Sequence, residues 1–447
     1  MSIKKLATAS FANLLIPLSG MLVSPVLSRE LGPDRRGLYA AFTLPLVVGG
    51  WIGTLGLQDS LSYHLGQRKI TCRRALRIAI VASAPLGLLC LALLLVLGRW
   101  LFAGLASTYS QFVLISLFAP VHVLVNLLIG CLTGVSDVPS VNIVKAIPAL
   151  ARAAFIALAC LLLHVTAFEA AAIFLASGLI GVTIAIYRLR TSEPCRSSEL
   201  EDTITSRRSI ASYSWCCLPG VLAMVSTARL DQVIGLPLIG ARELGYYAVA
   251  VSVAEIPMVI AAAARTVLLG ARGGDTVNVT RVTRCAVAIS SCSCLGVTAL
   301  APIVLPIFFG EPFRPAVLPT TILAVGTVLY TGMTCMTAIL LVEGRPRSSS
   351  RSLVIGSALG VVLLLALSPL GAIGAALASL AGYGLSLAIA WRALSRLGTS
   401  YGFTNFIVLN SQDLIALRHY LWDTVSRRHL ARASTPKQGG HLRAQSD

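Results

Sequence analysis

Apolar residues run in unbroken stretches of about 20 along most of the chain, and polar residues gather in short gaps between them. The stretches lack the two-residue alternation of a barrel strand. A hydrocarbon core of about 30 Å takes about 20 helical residues to cross, and a helix satisfies its own backbone in lipid. The pattern predicts an all-α polytopic membrane protein of about twelve spans. They fall at approximately 6–28, 37–58, 77–98, 111–133, 141–163, 168–187, 211–238, 244–268, 283–309, 316–341, 353–369 and 371–395. The first run is too long for a cleaved signal peptide and reads as a retained helix.

Charge sets the orientation. Of 447 residues, 12% are Asp, Glu, Lys or Arg, with a formal net charge of +18. In a soluble protein that excess would point to nucleic acid; here it fixes topology and meets anionic lipid heads. With both termini on one side, that side carries 27 Lys and Arg, the other 6, and three lie within spans. The expected location is the cell membrane, multi-pass, with cytoplasmic termini. The eleven cysteines match no zinc or redox spacing and read as small apolar side chains.

An internal repeat divides the chain. The segment 31–40, from Leu31-Gly32-Pro33 to Gly37-Leu38-Tyr39-Ala40, aligns at an offset of 208 with 239–248, from Ile239-Gly240-Ala241 to Gly245-Tyr246-Tyr247-Ala248. A second match, Leu132-Thr133-Gly134 with Val342-Glu343-Gly344, has an offset of 210. An even offset near half the length implies two six-helix bundles related by a pseudo-two-fold along the membrane normal, with a binding site between them. The expected organisation is an N-terminal bundle at 1–187, a charged cytoplasmic linker at 188–208, a C-terminal bundle at 209–396 and a cytoplasmic tail at 397–447. Leu414, Leu417, Leu421 and Val425 give the tail an amphipathic helix at about 411–430.

Ionisable residues inside spans are costly and mark the candidate site. In span five, Asn142, Lys145, Ala149 and Arg152 fall within about 80° of one another on a helix, with Lys145 and Arg152 about 10 Å apart. An arginine facing lipid near the bilayer centre costs about 2.5–3.5 kcal/mol on insertion scales. The stripe is therefore read as a cationic cavity wall; the alternative is that Lys145 snorkels and Arg152 pairs with a carboxylate. In span seven, Arg229 and Asp231 point about 200° apart and cannot pair locally, whereas Arg229 and Gln232 share a face. Asp231 is either a proton or sodium site or the partner of an arginine elsewhere. In span eight, Glu255 and Arg265 are about 15 Å apart along a continuous helix and do not pair. Arg265 then lies above Ala254, Met258, Ala261 and Ala262, and Glu255, beside Pro257, is a second ion-coupling candidate. His122 and Asn126 share a face of span four as polar cavity candidates.

No phosphate-binding loop ending in Gly-Lys-Ser/Thr, no His-Glu-x-x-His and no Ser-His-Asp set is present. The expectation is no catalytic residue, no metal and no cofactor: a transporter rather than an enzyme.

The stretch from Arg29-Glu30-Leu31-Gly32-Pro33 to Gly37-Leu38-Tyr39, then Leu55-Gly56-Leu57 and Tyr63, resembles the opening of polysaccharide transporter family proteins. Arg229-Leu230-Asp231-Gln232, the run from Leu244 to Ala250, Phe309-Gly310 and Glu343-Gly344-Arg345-Pro346 are similar to later landmarks of that family. The resemblance covers about residues 5 to 395. It places the chain in the multidrug/oligosaccharidyl-lipid/polysaccharide exporter superfamily and implies a V-shaped cavity opening alternately to each side. The implied cargo is a lipid-linked oligosaccharide or polysaccharide repeat unit on polyprenyl diphosphate, flipped for cell-surface polysaccharide biosynthesis. A guanidinium binds a diphosphate bidentately, so Arg152, Arg229, Lys145 and Arg265 are the expected cargo-binding cations. Membrane lipids, glycosyltransferases and a polysaccharide polymerase are the partners this reading implies, and nucleic acid is not among them. A cation-coupled multidrug exporter of the same superfamily and a non-transporting scaffold of a glycan-assembly complex are the competing readings.

Overall fold

The computed structural model describes residues 3–135, 137–162, 164–191, 206–269 and 276–397, with side chains from Val23 onward. The linker expected at 188–208 lies mostly outside the described residues, and the tail helix expected at 411–430 lies wholly outside them.

Every regular element among the described residues is helical. The first bundle comprises α1 (Ile3–Ile52), α2 (Leu57–Gly66), α3 (Cys72–Leu101), α4 (Ala106–Ser116), α5 (Ala119–Gly134), α6 (Val138–Leu162) and α7 (Ala167–Thr191). The second comprises α8 (Arg207–Val233), α9 (Gly235–Ala254), α10 (Met258–Leu269), α11 (Thr276–Phe309), α12 (Val317–Val342), α13 (Pro346–Leu367) and α14 (Gly371–Ser395). Among the described residues, eight helical stretches are long and apolar enough to cross a membrane, ten if each of two bent pairs counts as one span. One of the eight, Pro346–Ser395, contains two helices of 22 and 25 residues. A 3-10 turn at Ser368–Leu370 and Gly371 at φ +60° divide them.

The gap expected at 29–36 is not a loop. α1 continues through it with one break at Gly32, whose φ of 67° and ψ of 175° suit glycine. Pro33 follows, where a missing N–H costs nothing at a new helix start. Gly240 breaks α9 in the same way, at φ 82° and ψ 166°. The two breaks are 208 residues apart. So are the ends of α3 and α11, the ends of α5 and α12, and the starts of α6 and α13. Each bundle also bends its second span, by 45° between α1 and α2 and by 50° between α9 and α10. The offset of 210 does not survive: Gly344 has φ +70° and Gly134 does not share it.

The bundles meet through this repeat. A Cβ on Gly37 would lie 1.8 Å from the Ala241 carbonyl oxygen, and a Cβ on Gly245 would lie 2.0 Å from the Pro33 carbonyl oxygen. Pro33 and Gly37 are the repeat equivalents of Ala241 and Gly245, so the contact is reciprocal, as a two-fold requires. At the opposite end, the Ser60 hydroxyl donates to the Ile210 carbonyl at 2.9 Å, and the rings of Tyr63 and Tyr213 stack at 4.4 Å. Because backbone meets backbone at Gly37, G37V is expected to cost about 3 kcal/mol or more. A fall in detergent-phase thermal midpoint, matched by G245V, would register this.

Packing within a bundle uses small residues. The buried face of α3 reads Ala75, Ala79, Ser83, Gly87, Cys90, and Gly87 lets Pro120 of α5 approach. Cys90 and Cys131 are free and buried, as small apolar side chains are. Among the described cysteines Cys72 alone is disulfide-bonded. It begins α3, at a helix end rather than within an apolar run.

Candidate functional site

Two polar neighbourhoods inside the spans bring together candidate residues, one in each bundle. In the first, Arg36, Tyr39, Phe174 and Arg152 form a chain of cations and rings. The Arg36 guanidinium lies 5.0 Å from the Tyr39 ring centre, Tyr39 meets Phe174 edge-on at 6.3 Å, and the Arg152 guanidinium covers Phe174 at 4.2 Å. Arg36 is 7% exposed. Its Nη2 reaches the Ser24 hydroxyl at 3.4 Å, and its Nε has no partner. Arg36 escaped the sequence analysis because 29–36 read as an exterior loop. The continuation of α1 through Gly32 carries it inside, one turn before Tyr39.

Along α6 the expected stripe has two sides. Asn142 and Ala149 are buried, Arg152 is half-buried and Lys145 is exposed. The stripe is therefore the edge of a packed face. Among the described residues no carboxylate pairs with Arg36, Lys145 or Arg152. Asn142 Nδ2 and His122 Nε2 are buried without a hydrogen-bond partner. His122 packs against Gly50, where an added Cβ would lie 2.9 Å from the His122 Cβ. Asn126 donates back to the His122 carbonyl at 2.9 Å. Buried polar atoms are normally satisfied, so this neighbourhood holds cations without a carboxylate and several buried polar atoms without a partner among the described residues.

The second neighbourhood is acceptor-rich. Pro257 cannot continue a helix, and α9 ends at Ala254, which leaves Glu255 at the bend. Arg229 pairs with it in a fork, Nη1 to Oε1 at 2.7 Å and Nη2 to Oε2 at 3.1 Å. The two side chains remain 27% and 30% exposed, so the pair is reachable from outside the packed interior. The Tyr247 hydroxyl donates to the Asp231 carboxylate, and the Ser379 hydroxyl donates to the same oxygen at 2.9 Å. Asp231 thus meets hydroxyls from α9 and α14, not an arginine. Two small cavities flank it. One of about 30 Å³ is lined by Asp231, Ser226, Ser379 and Tyr383 together with apolar residues such as Leu230, Val361 and Leu364, and one of about 10 Å³ by Asp231, Gln232, Glu255 and Tyr383 together with Val251, Met258 and Leu323. Spaces of about this size hold single waters when lined by polar groups. Gln232 is buried. Arg265 is half-buried on α10, and the break at 255–257 takes Ala254 off its helix, so the small-residue face read above it is interrupted.

A third space is apolar. A cavity of about 610 Å³ lies between α1, α9 and α11, lined among others by Pro25, Val26, Ile256, Ile307 and Phe308, with Ser24 and Arg29 also on its wall. Arg29 donates to the Ile307 carbonyl of α11. Among the described residues no group of three or more His, Cys, Asp or Glu could hold a metal.

No protein-family model and no curated protein sequence matches the chain. Solved structures do. An inward-facing multidrug resistance MATE family transporter of the MOP superfamily superposes with a TM-score of 0.67, at 16% identity, over 87% of this chain and 98% of its own. The lipid II flippase MurJ in an inward closed conformation gives 0.66 at 13% identity, over 96% of this chain and 100% of its own. The MATE multidrug transporter DinF-BH gives 0.59 at 15% identity, over 90% of this chain and 95% of its own. This chain is therefore a multi-pass membrane protein with the fold seen in these MATE transporters and in MurJ.

Proposed function

We propose that the protein flips a lipid-linked glycan, carried on polyprenyl diphosphate, across the cell membrane by alternating access. The observation that carries this reading is the cluster of cations in the first bundle that meets no carboxylate among the described residues. Arg36, Lys145 and Arg152 have no carboxylate partner among the described residues, and the Nδ2 of Asn142 and Nε2 of His122 have no hydrogen-bond partner there. Such a set suits an anionic head group, which a guanidinium grips through two parallel bonds. The apolar cavity between α1, α9 and α11 suits a hydrocarbon tail, and a neighbour of the same fold is named a lipid II flippase. Cytoplasmic termini follow from the charge asymmetry of the loops, and glycosyltransferases with a polymerase are the partners such a cargo implies.

The second bundle supplies the coupling. Arg229 has two competing anions, Glu255 and an incoming diphosphate. A proton or monovalent cation on Glu255 weakens the ion pair and releases the guanidinium to the cargo; its loss returns Arg229 to Glu255 and expels the cargo. Asp231, held by Tyr247 and Ser379 beside two water-sized cavities, is a second place for that cation.

A multidrug exporter is the second reading. The second bundle favours it: Asp231 and Glu255 stand near Tyr247 and Tyr383, and acidic and aromatic groups together suit organic cations. One experiment separates the two. Vesicles containing the full-length protein are loaded with a fluorescent lipid-linked oligosaccharide, and outer-leaflet fluorescence is quenched chemically over time. Translocation of that lipid, with no uptake of a cationic dye under the same ion gradient, supports the flippase. Dye transport with an immobile glycolipid overturns it.

A further inference from the structure

The end of the first bundle opposite the Gly32 break carries a basic cleft that the transport site does not use. Arg73 and Arg77 stand one turn apart at the start of α3, and Arg190 stands in the last turn of α7. With Leu76, Ile80 and Val81 they line one cleft of about 410 Å³. All three arginines are exposed, no carboxylate lines the cleft, and none of the three has an ion-pair partner among the described residues.

Below the cations the wall turns apolar. Ile80 and Val81 are 43% and 66% exposed, and Tyr187, one turn before Arg190 on α7, is exposed as well. The next charged residue along α3 is Arg99, so the surface beneath the arginines is the lipid-facing surface of the span. Two arginines from one helix and one from another thus line a single cleft together with the exposed apolar side chains of Ile80 and Val81. A soluble anion has no use for that apolar floor, whereas an anionic phospholipid matches both parts.

We propose that this cleft binds an anionic phospholipid, its phosphate between Arg73, Arg77 and Arg190 and its acyl chains along Ile80 and Val81. The site is separate from the cargo cations, and either reading can fail without the other.

Native mass spectrometry of the full-length protein tests it, with phosphatidylglycerol and phosphatidylcholine of identical acyl chains as probes. Phosphatidylglycerol adducts should dominate, and R73A/R77A/R190A should weaken them roughly 100-fold. Thermal midpoints of the variants check that each remains folded. R345A/R347A/R351A, which removes three exposed arginines from the second bundle, should leave the adducts in place. Equal loss in both triple variants would mean diffuse attraction and would overturn the assignment. So would equal binding of the two lipids, or competition by glycerol 3-phosphate as effective as by the whole lipid, since the apolar floor would then do nothing. The remaining occupant is the chain's own acidic run at 199–202. A gain of tenfold or more in E199Q/E201Q/D202N would assign the cleft to that segment instead.

Discussion

Replacing Arg152 by alanine is expected to lower translocation of a lipid-linked glycan about 100-fold while leaving the fold intact. The asymmetry follows from what the side chain touches. Its guanidinium rests on the Phe174 ring and pairs with no carboxylate among the described residues. Truncation therefore forfeits a cation–π contact of about 1 kcal/mol and strands no buried anion. Toward a diphosphate the same group offers two charge-assisted hydrogen bonds, each about 1.5–3 kcal/mol. R152K keeps the charge and loses the fork, so it should fall between alanine and the wild type. Initial rates in reconstituted vesicles, set beside thermal midpoints in detergent, check both halves of this expectation. Loss of folding in R152A, or flipping at the wild-type rate, would remove Arg152 from the site.

The second large effect belongs to Glu255. E255Q keeps the shape and removes the charge that holds Arg229. Arg229 is then left to the cargo, so the affinity for a polyprenyl diphosphate should hold or rise while turnover falls about 100-fold, because nothing reclaims the guanidinium. R229A acts in the opposite sense, lowering affinity and turnover together. Its stability cost is tempered by exposure. Breaking a fully buried pair costs about 3–5 kcal/mol, but these side chains are 27% and 30% exposed, so about 1–2 kcal/mol is expected. A double-mutant cycle with E255A isolates the coupling energy. A cycle near zero, with E255Q turning over normally, would reduce the pair to a surface contact.

The helical class and the repeat were legible because lipid leaves few options. An apolar run of about 20 residues has one self-satisfying backbone, and the glycines that break α1 and α9 stand 208 residues apart in sequence and in structure. What escaped had local causes. The Gly32-Pro33 pair reads as a loop, yet with Gly32 in a left-handed conformation the helix resumes at once, which buries Arg36. The break before Pro257 was equally hidden. A continuous span eight put Glu255 and Arg265 on one rod, whereas the bend frees Glu255 to meet Arg229 from α8. Partners across helices are not written in either helix. Asp231 found tyrosine and serine hydroxyls rather than an arginine, and no spacing within span seven contains that information. On α6 periodicity aligns Asn142, Lys145, Ala149 and Arg152, and packing decides which of them are covered: Asn142 and Ala149 are buried, Arg152 half-buried and Lys145 exposed.

The central claim is that unpaired guanidinium groups in the first bundle receive an anionic lipid head. Equilibrium binding of matched fluorescent polyprenyl probes to the purified protein tests it most directly, one ending in a diphosphate and one in an alcohol. The account predicts that the diphosphate binds at least about 100-fold tighter, that added salt narrows the gap, and that R36A/R152A abolishes it. Equal affinity for the two probes, or a preference that survives loss of both arginines, would contradict it.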